Sequence, residues 1–335
     1  MGVLVNSRSL LLYKVLMYRF PRRVKDKLFT AVISGEYGLA VASVGQMGAA
    51  KPRLLRCDYV MYSGDGHEVD LMKKHVKALR IAGVPCTTTM NLGEYSILSV
   101  DAPDVPAAEL RAAVRWQIKD LIDFHVDDAV LDVFDAPASG ADKRRHNLYV
   151  VVSRMNTVKQ HIHVLQEAEL NLTTIDIPEL VIRNLCALCP EDKSGIVFIY
   201  LSRDKGVLTV TKDSTLYLAR SLEFGYEVLS QSALQSETES SEFNAEFDRV
   251  VLEVQRSLDY YDRYFSQPAV AKILLAPTVQ SIPGITEYLY RHTGIDASIF
   301  DVNDIIEAPE AIDRPRQASC LLAIGAAMRQ EKKTL

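Results

Sequence analysis

Two similar strand–turn–strand units, one opening each half of the chain, constrain its fold more than any other feature. In the first, residues 28–33 lead through a turn at 34–38 into residues 39–44. In the second, residues 195–201 lead through a turn around 204–206 into residues 207–210, and a further strand is predicted at 216–221. Both units are rich in β-branched and aromatic residues, with glycine and polar residues at the turns, as paired strands require. A hairpin that recurs in this way predicts an internally duplicated architecture. Helical stretches follow each hairpin, at 68–81 and from Phe247 onward. Strands alternating with helices specify an α/β fold.

The second of those helices is the most strongly patterned. Phe247, Val251, Val254, Leu258, Tyr261 and Phe265 recur at steps of three and four and so share one face. Glu253, Arg256, Asp259 and Arg263 lie on the other, spaced to pair along the surface. Between the halves lies a distinct unit. Pro106 is placed to start a helix whose apolar stripe is Leu110, Val114, Ile118 and Leu121. Strands are predicted at 129–134 and 148–152, separated by a mobile polar stretch at 138–147, with another helix at 155–168. A second stretch, 230–244, is rich in Ser, Thr and Glu and reads as a flexible loop.

At 335 residues, 48% hydrophobic, the chain buries a core without disulfide or metal staples. Its five cysteines, an odd number, fit a reducing compartment. Cys186 and Cys189 have metal-ligand spacing but no second Cys or His pair nearby, and they sit in an apolar helical stretch ahead of Pro190, which favours a structural role. His161 and His163 point to different faces of their helix and make a poor metal pair. No run approaches the ~18 apolar residues that span a bilayer, and residues 10–13 lack a signal-peptide cleavage site, so a cytoplasmic protein is expected. Residues 1–27 carry seven bases against Asp26, a net of about +6 on a chain whose formal total is −5. Two readings of this leader stand: a helix lying on anionic lipid, or a disordered or non-native extension. Beyond it the charge is mixed, without the aromatic–basic stripe of a nucleic-acid binder.

The wording of several segments goes further. Gln255-Arg256-Ser257-Leu258-Asp259-Tyr260-Tyr261, Ile273-Leu274-Leu275 and residues 283–289 resemble the PilM-like proteins of type IV pilus assembly. So do Arg115-Trp116-Gln117-Ile118 and Leu131-Asp132 in the middle unit. Leu275-Ala276-Pro277 and the stretch 321–329 are similar to the MshI branch of that family, which serves the mannose-sensitive haemagglutinin (MSHA) pilus. The resemblance runs from Leu28 to Met328. It implies an actin-like (ribonuclease H-like) duplicated fold with a small α+β insert. The expected division is a basic leader 1–27, a first half 28–190 with the insert at about 95–170, a second half 191–330 with a long helix at 244–266, and a tail 331–335.

In the actin-like fold each hairpin turn carries an Asp-x-Gly that meets the nucleotide phosphates, the carboxylate holding hydrated Mg²⁺ and the glycine admitting phosphate close to backbone. The resemblance puts Ile33 at the first aspartate position, with Gly35 and Glu36 beside it, and puts Tyr200 and Ser202 at the second Asp and Gly. Ala276 and Pro277 replace the Gly-Gly that lies flat on adenosine. Neither Ile nor Tyr can place a divalent cation. A degenerate nucleotide cleft is expected, with no catalytic residue, no metal, no resident cofactor and no ATP hydrolysis. ATP held by backbone amides without turnover stays open.

What remains is binding. The resemblance implies a groove between the first half and the insert that takes the extended cytoplasmic tail of a PilN-like inner-membrane protein, with the assembly ATPase as a further partner. Arg115, Trp116 and Tyr149 are the expected groove residues, Arg and Trp being the types that most often dominate interfaces. Trp116 has two readings, groove or core, and Arg115 is expected on the outer face. The function expected is a cytoplasmic scaffold at the inner membrane. Two alternatives stand beside it: a nucleotide-dependent switch, and a type II secretion L-like cytoplasmic domain. The latter normally continues into a membrane helix, whereas this chain ends at Leu335 without one.

Overall fold

A computed structural model describes residues 28–35, 38–45, 51–62, 68–138, 146–239 and 244–329. The basic leader 1–27, Glu36, most of the stretch 138–147 and the tail 331–335 lie outside the described residues.

The predicted duplication is visible strand by strand. β1 (Phe29–Gly35), β2 (Gly38–Gly45), β3 (Arg53–Met61), β4 (Pro85–Thr89) and β8 (Asn171–Asp176) form one five-stranded sheet in the order β3-β2-β1-β4-β8. β9 (Ile196–Leu201), β10 (Gly206–Lys212), β11 (Thr215–Leu222), β12 (Lys272–Leu275) and β13 (Ala297–Ile299) form a second, in the order β11-β10-β9-β12-β13. In each the first three strands run antiparallel and the fourth and fifth pair parallel. Both sheets place their first hairpin centrally, which explains its runs of buried apolar residues: Val197, Phe198 and Ile199 are wholly enclosed. The first hairpin turn is tighter than expected, since the strands run on to pair Gly35 with Gly38.

Two helices fill the space between the sheets. α8 (Arg314–Ala327), from the end of the second half, packs on β1, β2 and β3 of the first sheet, whereas α4 (Pro178–Cys186), from the end of the first half, packs on β9, β10 and β11 of the second. Their joint core takes Ala40 and Ala42 from one sheet, Phe198 and Val207 from the other, and Val181, Leu185, Leu321 and Ile324 from the helices. Cys186 and Cys189 belong to it, and burial pushes both thiols up, so apolar packing accounts for them. α1 (Glu68–Ala78) and α3 (Met155–Glu167) cover the outer side of the first sheet. α5 (Tyr226–Glu239), α6 (Ala245–Phe265) and α7 (Ile285–Thr293) cover the outer side of the second. In α6 the expected face is buried through Phe247, Val251, Val254, Tyr261 and Phe265. Asn244 caps it, its side chain accepting from Glu246 N and Phe247 N at 3.1 and 3.0 Å.

Between β4 and β8 the chain inserts a three-stranded antiparallel sheet, order β5-β7-β6, from β5 (Tyr95–Asp101), β6 (Ala129–Asp135) and β7 (Asn147–Arg154), with α2 (Leu110–Gln117) on one face. Two sequence expectations change. α2 begins at Leu110, not Pro106, whose carbonyl accepts from Glu109 N in a preceding turn; Val114 and Ile118 are buried but Leu121 is exposed beyond the helix. The stretch 230–244 is mostly α5 instead of loop, because Leu229 and Ala233, four apart, anchor it to the second core.

Candidate functional site

Where the two halves face each other, the hairpin turns β1–β2 and β9–β10 converge on a cleft of about 370 Å³. Ile33, Gly35, Tyr200 and Ser202 line it, as the hairpin alignment predicts. Ala276 and Pro277 do not. Both are buried at the end of β12, where Ala276 N donates to Ile199 O, and the cleft is reached instead by Val279. The aligned dipeptide thus marks a strand end and not a base platform. Glu36 falls outside the described residues.

Apolar and aromatic side chains make one part of the lining, with Tyr59, Met90, Leu92, Tyr226 and Leu322 beside Ile33 and Tyr200; Asn91, Arg203, Asp204, Lys205 and Ser319 make the polar part. Burial pushes the Tyr200 phenol up to about 12, so it is a neutral wall at physiological pH. Among the described residues Asp204 is the carboxylate that lines the cleft, exposed at the turn tip between Arg203 and Lys205. Four amides at and beside this turn are already engaged. Ser202 N donates to Lys205 O, Lys205 N to Ser202 Oγ, Tyr226 N to Ser202 O and Glu227 N to Arg203 O. Gly225 lets this happen: a Cβ there would stand 2.3 Å from the Arg203 carbonyl. Arg203 is in turn paired with Glu227 at 3.0 Å. A magnesium nucleotide needs carboxylates at the two turns and free amides for phosphate. At the two aligned aspartate positions Ile33 and Tyr200 supply no carboxylate.

The three expected groove residues do not form one groove. Along β7, Leu148, Val150 and Val152 point to α2, so Tyr149 and Val151 point to the opposite face by the two-residue repeat of a strand. The Tyr149 ring packs tilted against Phe134, centroids 5.3 Å apart, and its hydroxyl donates to Tyr217 O at 2.5 Å, tying the insert to β11 of the second half. Asn147 Nδ2 donates to Tyr264 Oη on α6 and strengthens that seam. Arg115 is not a free surface group either. Its guanidinium donates to Val126 O at 2.6 Å and Ala129 O at 3.1 Å, bracing the turn into β6. Trp116 is 70% exposed at the end of α2, which removes its core reading.

Two cavities flank the insert. Between the insert and the first half a cavity of about 30 Å³ is lined by Met90, Tyr95, Val151 and Ile177 among others, too small for a peptide. A cleft of about 340 Å³ opens instead between the insert and the second half. One wall is the 92–98 segment with the start of β5; the other is Ala219, Ser221, Leu222 and Glu223 at the end of β11. β5 and β11 are both outermost strands of their sheets. Glu179, in the first turn of α4, reaches this cleft with its side chain buried, and Tyr95 Oη donates to its Oε2 at 2.6 Å. Burial, reinforced by nearby Asp176, raises the Glu179 carboxyl to about 7. The segment leading into β5 is fixed by Ser153 Oγ donating to Glu94 O and by a 2.6 Å contact of His161 with the Glu94 carboxylate. Burial would raise that carboxylate, but the bonds from His161 and Asn91 outweigh it and hold it below the usual range.

No model of a known protein family matches this chain, and no curated protein matches it. Solved structures do. The chain is similar to a chain of the PilM–PilN type IV pilus biogenesis complex, with a TM-score of 0.69 and 15% identity over 92% of this chain and 98% of that one. It also matches the cytoplasmic domain of EpsL, an inner membrane component of the type II secretion system of Vibrio cholerae, at a TM-score of 0.48, 9% identity and 91% and 97% coverage. A third match is the ethanolamine utilization protein EutJ from Carboxydothermus hydrogenoformans, at 0.46, 13% identity and 96% and 97% coverage. At these identities the likeness is one of fold. The chain has the actin-like α/β fold, duplicated and carrying an insert.

Proposed function

We propose that this protein is a scaffold of a type IV pilus biogenesis platform that holds the extended cytoplasmic tail of a PilN-like inner-membrane protein and does not hydrolyse ATP. Its place is the cytoplasmic face of the inner membrane, with MSHA-type pili as the system its 275–277 and 321–329 wording favours and the assembly ATPase as a further partner. One observation carries the binding reading: the 340 Å³ cleft is walled by two outermost strands, β5 and β11, from different sheets. An outermost strand offers unpaired main-chain donors and acceptors, and an extended peptide satisfies them while neighbouring side chains select its sequence. The same-fold chain from a PilM–PilN complex supports the partner's class. No helix among the described residues is long and apolar enough to cross a membrane, so on this reading attachment comes from the partner.

The test is peptide binding. A labelled peptide copying the cytoplasmic tail of the PilN-like protein from the same pilus system should bind the full chain. Ser221→Arg, at an exposed position in the cleft wall, should weaken it by at least about tenfold with the melting temperature unchanged. Equal affinity for wild type and Ser221→Arg places the peptide elsewhere, and no binding to either overturns the reading.

A further inference from the structure

β3 ends the order of the first sheet, and most of its outer side carries no strand among the described residues. Its beginning is occupied, with Leu54 N donating to Glu307 O at 2.7 Å and Glu307 N to Pro52 O at 2.9 Å. Beyond Leu54 no strand among the described residues pairs with that side. Leu55 and Met61 are 51% and 66% exposed and Tyr59 is 36% exposed, an apolar fringe along a nine-residue strand. Such an edge is a template for another chain, and proteins guard it with bulges and charges. β3 has a bulge at Leu55, where the register with β2 shifts, and it has Arg56 and Asp58. Those charges guard it poorly against one partner. They are opposite in sign and two residues apart, hence on the same face, so a second β3 laid antiparallel does not meet like charge.

We infer that a second copy of this chain pairs antiparallel along β3, centred on Cys57, to give an isologous dimer in which the two five-stranded sheets become continuous. With Cys57 opposite Cys57, Arg56 stands opposite Asp58 and Asp58 opposite Arg56, while Leu55 stands opposite Tyr59 on either side. The two-fold axis is perpendicular to the sheet, so each face meets its own kind. Within one chain Arg56 and Asp58 already approach to 3.4 Å, both about one-third to two-fifths exposed, and Arg56 also donates to Leu79 O at 2.9 Å. Pairing turns this two-charge contact into an alternating cluster of four. The bulge and the bridge to Glu307 confine the new ladder to a few residues. The dimer is therefore weak and concentration-dependent, and an isologous contact of this kind closes at two chains.

Sedimentation equilibrium of the full chain over a wide concentration range tests this, with far-UV circular dichroism confirming that each variant is folded. Wild type should rise from one chain mass toward two. Arg56→Asp and Asp58→Arg should each weaken association at least about tenfold, because each sets like charges opposite one another at both ends of the pair. An equimolar mixture of the two variants should associate again as a heterodimer, since one carries two acids where the other carries two bases. A wild type that stays monomeric throughout overturns the inference. So does a dimer indifferent to both substitutions, or a mixture that fails to re-associate.

Discussion

At the scale of single residues, Glu179 makes the sharpest prediction. Its folded pKa, about 7, lies above the ordinary 4.5, so the folded state holds the proton more tightly than the unfolded one. Its contribution to stability is then fully present below about pH 4.5 and is lost as pH rises through about 7. Glu179→Gln keeps an acceptor for the Tyr95 hydroxyl and cannot ionise. It should match wild type in urea unfolding at pH 5 and exceed it at pH 8 by roughly 3 kcal/mol, the scale set by the size of the shift. A variant equally displaced at both pH values contradicts this. Residues whose place is set by local geometry were legible in the sequence. Ile33, Gly35, Tyr200 and Ser202 meet in one cleft because a hairpin turn fixes them by counting. Arg115 was not legible, because its acceptors are the carbonyls of Val126 and Ala129, brought to it only by the packing of α2 on the insert sheet. Tyr149 failed for a related reason: strand alternation gave its face, but not what would cover that face.

At the scale of elements, strongly periodic pieces such as α6 were readable and mixed ones were not. β3 breaks its apolar residues with Arg56 and Asp58 in no regular alternation, and β5 is half-exposed, so neither gives a clean strand pattern. α5 hides its short apolar anchor behind Ser, Thr and Glu. α8 looks apolar all round because it lies between the sheets, touching α4 and the first sheet together. Its contact with α4 depends on Gly325. A Cβ there would stand 2.6 Å from Val181 Cγ1 and 2.9 Å from Val181 O. Alanine ordinarily stabilises a helix relative to glycine by about 1 kcal/mol. Here the backbone contact cannot yield as a flexible side chain would, so Gly325→Ala should destabilise, on the order of 1–3 kcal/mol. A higher midpoint in chemical denaturation for Gly325→Ala would show that the two helices have room to separate.

At the scale of the whole molecule, duplication sets the architecture and the insert sets the opportunity for binding. The two sheets repeat one strand order, and α4 and α8 each cross to the other half, so the core between the sheets is shared. The insert, between β4 and β8, is fastened to the first half through Tyr95, whose hydroxyl donates to Glu179 on α4, and to the second through Asn147 and Tyr149. That double attachment leaves one cleft walled by strand edges and another, between the halves, walled by Ile33, Tyr200 and their apolar neighbours. The central claim is that this molecule uses an actin-like frame for docking and not for nucleotide chemistry. Thermal unfolding of the full chain with millimolar Mg-ATP tests it most directly, because a ligand at ~100 times its dissociation constant adds about 2.7 kcal/mol of stability. The melting temperature should be the same with Mg-ATP, with magnesium alone and with neither. A rise that requires both ATP and magnesium would contradict the account.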